Sequence, residues 1–310
     1  MIAKLLNLEY MYFITGVLLI IVSLYTLKDK TNKFRYTTAL FWTLFGLTFM
    51  APILHISNLL VGIFIVIMAG LSFGKLVRQG SYGETSREEK AKESNRWGNS
   101  LFIPILIIPF GTFAIAQFTK LGALVGLGVS SIVAAIVSMI MFKEGFHNTM
   151  QETRRMADLM TTVIILPQFL AALGAIFTAA GVGKVVSDIV SSIIPVSVPF
   201  ATLAAYFFGM ALFTIIMGNA FAAFSVITVG IGIPLVIQMH GANAAIVGSL
   251  AMVAGYCGTL TTPMAANFNI IPTALLEMKN KTFGVIKKQV PVAIVMWISI
   301  LIFAYFVVFK

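Results

Sequence analysis

Two interrupted apolar segments near the end of the chain hold the residues whose types and spacing could do chemistry. The first, residues 215–238, contains Gly218 and Asn219. The second, residues 249–272, contains Thr262 and Pro263. Backbone that leaves a helix at membrane depth has unpaired N–H and C=O groups, so it persists only where protein buries it or where it lines a site. Such interrupted segments indicate the binding site of a membrane transporter.

The first segment predicts a re-entrant helical hairpin over residues 199–238, with Gly218-Asn219 as its tip. A helix that starts after the tip points its free N–H groups and its positive dipole end at the middle of the membrane, where an anionic group could bind. Ser225 and Thr228 follow about one and two turns further along. The substrate-binding residues expected in the hairpin are Gly218, Asn219, Ala220 and Ser225, with Thr228 as a further candidate.

The second segment predicts a broken helix over residues 243–279. Gly258-Thr259 and Thr261-Thr262-Pro263 are expected to unwind it, because Pro263 lacks an N–H donor and its ring clashes with the preceding turn. Freed carbonyls are the oxygen ligands that hard cations such as Na⁺ prefer. The substrate-binding residues expected here are Thr259, Thr262 and Asn267, with Asn269 as a further candidate. The Na⁺ ligands expected over both segments are Asn219, Gly258, Thr261, Thr262 and Pro263.

A structural role is the alternative for these residues. Glycine and proline are common in membrane helices, and small residues at regular spacing also allow close helix packing. The pairing favours a site, because the Gly-Asn tip is followed about 40 residues later by the Thr-Pro break and then by asparagine. Gln168 is a further candidate, although a lone amide also ties neighbouring helices together.

Charged residues are missing from the predicted membrane interior, because every Asp, Glu, Lys and Arg falls in a loop or at a segment end. Intramembrane carboxylates serve as proton relays and intramembrane arginines as gating charges, so neither mechanism is expected. Any bound ion would be held by carbonyls, hydroxyls and amides. An enzyme would need a nucleophile with its base, or metal ligands, inside the membrane. The absence of charged residues there, with only three scattered histidines in the chain, argues against an enzyme. No cofactor is expected, and Na⁺ is the candidate coupling ion.

The composition sets the class of protein. Of the 310 residues, 59% are hydrophobic and only 10% are charged, and the mean hydropathy is +0.98. One soluble core would not use so many apolar residues, so the chain is predicted to be a polytopic, all-α membrane protein. The single cysteine, Cys257, excludes an internal disulfide.

The elements that would position the site follow from the apolar runs. Residues 1–142 are predicted to form a scaffold of membrane helices, and residues 143–160 an amphipathic connector at the membrane surface. Residues 161–310 form the transport region, which ends in a membrane helix at residues 290–308. The count is about eight full crossings, which include the broken helix and the last helix, plus the re-entrant hairpin. The spans predicted before the hairpin are residues 10–27, 36–54, 57–73, 101–118, 121–142 and 161–181.

The positions of Lys and Arg predict the topology, because these residues collect in cytoplasmic loops. Seventeen of the 21 fall in loops 28–35, 75–97, 143–158 and 277–288. All four loops lie on one side of the membrane only if residues 199–238 enter and leave the membrane on the same side. Both termini are then outside the cytoplasmic membrane of a bacterium. The net charge of +10 is accounted for by this topology and by the lipid bilayer, so no nucleic-acid partner is expected.

The sequence resembles known transporters at these residues. The stretch from Gly218 to Phe224, followed by Gly232-Ile233-Pro234, is similar to the hairpin of the ion transporter superfamily, where a Ser-Asn-Thr tip precedes a small-residue helix that ends near proline. Thr262-Pro263 followed by Asn267 is similar to the unwound Thr-Pro-Pro-Asn helix of that superfamily. This chain has Gly and Ala on either side of Asn219, so only the asparagine carries over at the tip.

Over its whole length, the chain resembles a bacterial family first catalogued as being of unknown function. That family is now often assigned as the larger membrane subunit of a two-component 5-oxoproline (pyroglutamate) transporter. The stretches that carry the resemblance are ILPQFLAALGAIFTAAGVG and GYCGTLTTPMAANFNIIPTALLEMK. The resemblance implies a second, shorter membrane subunit as partner.

A partner also follows from the inverted-repeat logic of such transporters, in which each half gives one hairpin and one broken helix. This sequence contains one such pair, so it is predicted to be one inverted-repeat half, with the second subunit supplying the other. We therefore expect a secondary active transporter subunit for a small carboxylate. The alternatives are a structural or assembly subunit of a permease and a channel component.

Overall fold

A computed structural model describes residues 7–80, 95–275, 280 and 282–309 of the chain. Every regular element in these ranges is helical. Seven of the described helices are long and apolar enough to cross a membrane. The protein is therefore an all-α polytopic membrane protein, and this prediction from composition is confirmed.

The described helices are numbered in chain order. The first six are α1 (Leu8–Lys28), α2 (Arg35–Leu54), α3 (Asn58–Phe73), α4 (Phe102–Phe118), α5 (Ala123–Phe142) and α6 (Phe146–Ala179). The next six are α7 (Val182–Ile193), α8 (Pro199–Met217), α9 (Ala220–Ile227), α10 (Ala244–Thr259), α11 (Ile271–Leu275) and α12 (Ile286–Val308). Thr228–Gln238 and Ala266–Ile270 are π-helical, and Gly98–Leu101 is a 3₁₀ turn.

The chain divides into two compact units, one ending at Thr162 and the other beginning at Val163. In the first unit, α1 packs along α2 at Gly16 and Gly46, where a Cβ on Gly16 would lie 2.6 Å from the Gly46 carbonyl oxygen. α4 packs on α5 in the same way, at Gly111 and Ser130. Small residues thus let the helix backbones approach, as in other membrane helix pairs.

The second unit has a core formed by α8, α9, the π-helical limb, α10 and α12. Tyr206 and Phe207 of α8 are fully buried in it, and the indole N–H of Trp297 on α12 donates to the Phe207 carbonyl at 3.2 Å. This core holds the hairpin and the helix break, so it is the part of the protein that positions the site.

One element differs from the sequence-based prediction. Residues 143–160 were expected to form a separate surface connector before a span at residues 161–181, whereas α6 runs as one helix from Phe146 to Ala179. Residues 146–160 contain no glycine or proline that would end a helix. The helix ends instead near Gly181, whose φ of 72° is left-handed.

Residues 199–238 form a helical hairpin, and its re-entrant character stays a prediction. α8 forms its first limb, and α9 with the π-helical segment forms its second limb, which packs antiparallel to α8. Each limb has 19 residues, and α8, which is α-helical throughout, is about 28 Å long, close to the thickness of a bilayer core. Each limb is therefore longer than a hairpin stopping at mid-membrane requires. The second limb also continues past Pro234 to Gln238, beyond the point where the resemblance implies an end.

Contacts between helix ends show which elements share one end of the second unit. The N–H of Asn243, before α10, donates to the Val308 carbonyl at 3.4 Å, and the rings of Phe200 and Tyr305 lie 5.4 Å apart. The start of α8, the start of α10 and the end of α12 thus meet at one end. Lys287 and Lys288 lie at the opposite end of α12.

Candidate functional site

The hairpin tip and the helix break are in direct contact. Gly218 ends α8 with a left-handed φ of 70°, a conformation that favours glycine. A Cβ on Gly218 would lie 2.8 Å from both the Cβ and the carbonyl oxygen of Met264 in the break. The structure therefore brings together the two interruptions that the sequence singled out.

Asn219 starts the second limb. Its backbone is extended, with φ −144° and ψ 118°, and its side-chain Oδ1 accepts the N–H of Phe221 at 2.9 Å. This is the usual arrangement of a helix N-cap. An amide oxygen can accept two hydrogen bonds, so the cap leaves one acceptor position on Oδ1.

The break begins later than predicted. Gly258 and Thr259 were expected to be unwound, but they are the last residues of α10, and residues 260–265 are non-helical. Gly258 is required for packing, because a Cβ there would lie 2.4 Å from the Ala211 carbonyl oxygen of α8. The hydroxyls of Thr259 and Thr261 donate to the carbonyls of Tyr256 and Gly258 in the last turn of α10, at 2.6 Å and 2.9 Å.

Two side chains fix the geometry of the break. Thr262, which is 1% exposed, donates its hydroxyl to the Ile215 carbonyl in the last turn of α8 at 2.8 Å. Asn269 donates Nδ2 to the carbonyls of Thr259 and Thr262, at 2.9 Å and 2.7 Å. The first contact ties the break to the hairpin, and the second ties together the two sides of the break.

Two buried acceptors near this contact have no hydrogen-bond partner among the described residues. They are Oδ1 of Asn269, a side chain 2% exposed, and Oγ1 of Thr214, a side chain 0% exposed. Thr214 Oγ1 faces α10, 3.3 Å from where a Cβ on Gly255 would be. An unpaired buried polar group costs about 1–3 kcal/mol, which a bound cation or a donor on a substrate would remove.

Thr214 was not predicted from the sequence. It lies one helical turn before Gly218, and residues four apart share a helix face. Its N-terminal neighbour on the same face, Met210, packs beside Gly255 as well. The spacing to the tip was therefore the one signal that could have identified Thr214.

The remaining predicted residues of the hairpin are Ala220, Ser225 and Thr228. Ala220 is buried beside Gly255, next to the tip. Ser225 and Thr228 lie further along the second limb, where Ser225 donates to the Ala222 carbonyl at 2.8 Å and the Thr228 hydroxyl pairs with Tyr206 at 2.7 Å. Neither hydroxyl is part of these tip–break contacts.

Three other candidates are Pro263, Gln168 and Asn267. Pro263 is exposed within the break. Gln168 is half-buried on α6, six residues before Gly174, where this helix meets the second limb. The side chain of Asn267 and residues 276–279 of the predicted broken helix lie outside the described part of the chain.

The contact lies at the C-terminal ends of α8 and α10 and, among the described residues, carries no ionised side chain of its own. α10 has 16 residues before the break, or about 24 Å of helix, against a bilayer core of about 30 Å. In the described ranges, no group of three or more His, Cys, Asp or Glu side chains could hold a metal ion. The polar groups at hand are neutral oxygens and the N–H groups at the start of α9.

One side of the site is lined by aromatic rings. Phe221 of the tip lies 6.1 Å from Tyr256 of α10, which lies 6.0 Å from Phe268 after the break. Phe221 is 65% exposed and Met264 is 47% exposed. The tip–break contact is thus covered by α8 and α10 on one side and has an apolar exposed surface on the other.

Comparison with protein families matches residues 9–309 to a family described as "Protein of unknown function (DUF979)". Comparisons with curated proteins and with solved structures gave no match. Because the family match covers nearly the whole sequence, this chain belongs to the DUF979 family.

Proposed function

We propose that the chain is a membrane subunit of a secondary active transporter for a small carboxylate, with 5-oxoproline as the first substrate to test. The observation that supports this most directly is the contact of the hairpin tip at Gly218 with the break at Met264. Two helix interruptions that meet inside a bilayer give a site that both faces of the membrane can reach in turn.

The substrate carboxylate would bind at the start of α9. The first N–H groups of a helix have no partner within it and carry the positive end of the dipole. Asn219 caps the N–H of Phe221, so the neighbouring N–H groups, beginning with Ala220, remain for the substrate. The Thr262 side chain would hold the break against the hairpin while the substrate is bound.

The coupling ion would be Na⁺. Asn269 Oδ1 and Thr214 Oγ1 are buried acceptors without a described partner, and the break adds backbone carbonyls. Neutral oxygens of this kind suit a hard monovalent cation. Binding of Na⁺ would also place a positive charge near the bound carboxylate, so that each ligand favours the other.

A second, shorter membrane subunit would complete the site. This chain supplies one hairpin and one broken helix, and the exposed side of their contact, at Phe221, Met264 and Phe268, is apolar. An inverted repeat from another chain would provide the opposing hairpin and break. The partner would also be the source of any charged residue that the site requires.

Uptake into vesicles tests this proposal. The chain is reconstituted alone and with a shorter membrane protein as candidate partner, and radiolabelled 5-oxoproline is added with and without an inward Na⁺ gradient. We expect saturable, gradient-driven uptake with both chains. Asn219→Ala and Thr262→Ala should abolish it, whereas Ser249→Ala, which removes an exposed hydroxyl on α10, should not.

The outcomes separate the competing functions. Uptake that neither saturates nor follows the gradient would indicate a channel component. Loss of co-purification with the partner in Asn219→Ala, with unchanged substrate affinity, would indicate an assembly subunit. Normal transport by both site variants would reject the site.

A further inference from the structure

We propose that the first unit carries a binding surface for anionic phospholipid headgroups, distinct from the transport site. The surface consists of residues 28–35, between α1 and α2, and residues 74–80, after α3. We call it the basic loop pair. These segments are far apart in the sequence, and the structure docks them against each other.

Asn32 holds the basic loop pair together. It is 5% exposed, its Nδ2 donates to the Arg78 carbonyl at 2.7 Å, and its Oδ1 accepts the N–H of Phe34 at 2.8 Å. Thr38, at the start of α2, accepts the N–H of Arg78 on its hydroxyl at 3.2 Å. The two segments therefore present their side chains as one fixed surface.

The basic loop pair is strongly cationic. It contains one carboxylate, Asp29, and this group is paired with Arg154 of α6 at 2.7 Å, so it does not neutralise the surface lysines. The Arg154 side chain is itself only 5% exposed. The exposed cations of the surface are Lys28, Lys30, Lys33, Lys75 and Arg78, with Arg35 half-buried beside them.

The surface lies where lipid headgroups are found. α1 ends, α2 begins and α3 ends beside it, so it sits at the common end of three apolar helices. Exposed aromatic residues surround it: Tyr36 is 65% exposed and Phe73 is 70% exposed. Aromatic residues of this kind mark the boundary between bilayer and water.

The aromatic residues also hold the cations in place. The Arg78 guanidinium lies 4.8 Å from the Phe34 ring centre, and that of Arg35 lies 4.7 Å from the ring centre of Tyr36. Such contacts keep the guanidinium groups at the level of the rings. Lipid phosphates lie at the same level, so an anionic phospholipid such as phosphatidylglycerol fits the surface better than a soluble anion.

The test uses the full chain in nanodiscs of phosphatidylcholine with increasing phosphatidylglycerol. Native mass spectrometry counts the retained phosphatidylglycerol molecules, and thermal unfolding is measured in parallel. The variant K28Q/K30Q/K33Q/K75Q removes four exposed charges from the surface. K120Q/K184Q/K287Q/K288Q removes four exposed charges elsewhere and is the matched control.

We expect the surface variant to lose affinity for phosphatidylglycerol by about fivefold or more for each charge removed, with unchanged unfolding in pure phosphatidylcholine. The control should keep its affinity. Asn32→Leu keeps every charge but undocks the two segments, and it should also weaken retention. Glycerol phosphate added as a competitor should not displace the lipid.

Equal losses in the surface variant and in the control would overturn the proposal, because general attraction between cations and lipid would then suffice. Unchanged retention in the surface variant would overturn it as well. Displacement by glycerol phosphate would assign the surface to a soluble phosphate compound. None of these results depends on transport activity.

Discussion

Gly218 is constrained both by its backbone conformation and by its neighbour. In Gly218→Ala, the left-handed φ costs about 1 kcal/mol, and the new Cβ would meet Met264 at 2.8 Å. We expect the tip to move away from the break and uptake to fall at least tenfold, while membrane insertion is kept. Uptake assays with measured protein levels check this.

Gly241 provides the control for this variant. It has a similar φ of 67°, but no atom lies within 4 Å of a Cβ built there. Gly241→Ala therefore carries the backbone strain without the contact. If both variants lose uptake to the same degree, the tip–break contact is not the cause.

Asn269 bridges the break through two hydrogen bonds to buried carbonyls. Asn269→Ala leaves these acceptors without their donor, so we expect the free energy of unfolding to fall by about 1–3 kcal/mol. It also removes an oxygen that would bind Na⁺. Thermal unfolding with and without Na⁺ should show a lower midpoint and a smaller shift on adding Na⁺.

Asn148→Ala is the comparison for Asn269→Ala. Asn148 is exposed and makes one hydrogen bond, to Glu144. Its loss should change stability by less than about 0.5 kcal/mol and leave any Na⁺ shift intact. A Na⁺ shift that survives in Asn269→Ala would remove this residue from the ion site.

At the residue scale, the sequence identified Gly218 and Thr262 because glycine and Thr-Pro are conspicuous in apolar runs. It ranked Asn269 only as a further candidate and did not include Thr214. The role of these two depends on how α8 is rotated against α10, and that rotation follows from packing between distant segments. The spacing of residues shows which side chains share a helix face. It does not show which other helix that face packs against.

Among the elements, α7 and the second limb of the hairpin make an unusually close contact. A Cβ on Gly230 would lie 2.5 Å from the Gly183 carbonyl oxygen of α7. Gly230→Ala should push α7 from the limb and lower the free energy of unfolding by about 1–3 kcal/mol. Gly62→Ala on α3, where nothing lies within 4 Å, should be neutral or slightly stabilising. Thermal unfolding in detergent measures both.

The ion pair between Asp29, at the end of α1, and Arg154 of α6 depends on pH. Burial raises the pKa of the Asp29 carboxyl, but hydrogen bonds from Thr31 and the nearby charge of Arg154 outweigh it and hold the pKa below its ordinary value of 3.8. The ion pair therefore stabilises the folded protein above pH 3.8, and this contribution is lost as the pH falls through the lowered pKa.

Asp29→Asn should consequently unfold at a lower temperature than the wild type at pH 7. The difference should shrink as the pH falls below about 4, because the wild-type carboxyl then also becomes neutral. Glu152→Gln removes an exposed ion pair with Arg155 and should have little effect. A difference between Asp29→Asn and the wild type that stays constant down to pH 3 would contradict this account.

The sequence predicted the helix interruptions near Gly218 and Pro263, but it divided α6, which is continuous. The hairpin limbs are delimited by Pro199 and by Gly218, both strong local signals. α6 was divided because its residues change from polar to apolar near residue 160. Hydrogen bonding along a helix does not depend on that change, so polarity shows where a helix lies relative to the bilayer and not where it ends.

For the whole molecule, the positions of the basic residues predict that residue 30 faces the cytoplasm and residue 239 the outside. The native Cys257 is buried, so single cysteines can be added at exposed positions. In intact cells, we expect a membrane-impermeant maleimide to label Met239→Cys at once. Lys30→Cys should react only after the cells are opened, and the reverse pattern would invert the topology.

The fold class was accessible because composition alone requires many membrane helices. The division into two units at residue 162 has no comparable marker in the sequence. It arises because helices on either side of this point bury their small and apolar residues against different neighbours.

The ion pair of Asp29 and Arg154 also has a consequence for biosynthesis. The two residues are 125 positions apart, so at ~5–20 residues per second Arg154 leaves the ribosome about 6 to 25 s after Asp29. During that interval Lys28, Lys30 and Lys33 surround Asp29 in the sequence and retain this loop on the side of synthesis. The first unit is therefore completed only when α6 emerges, and a chain truncated before residue 154 would lack this ion pair.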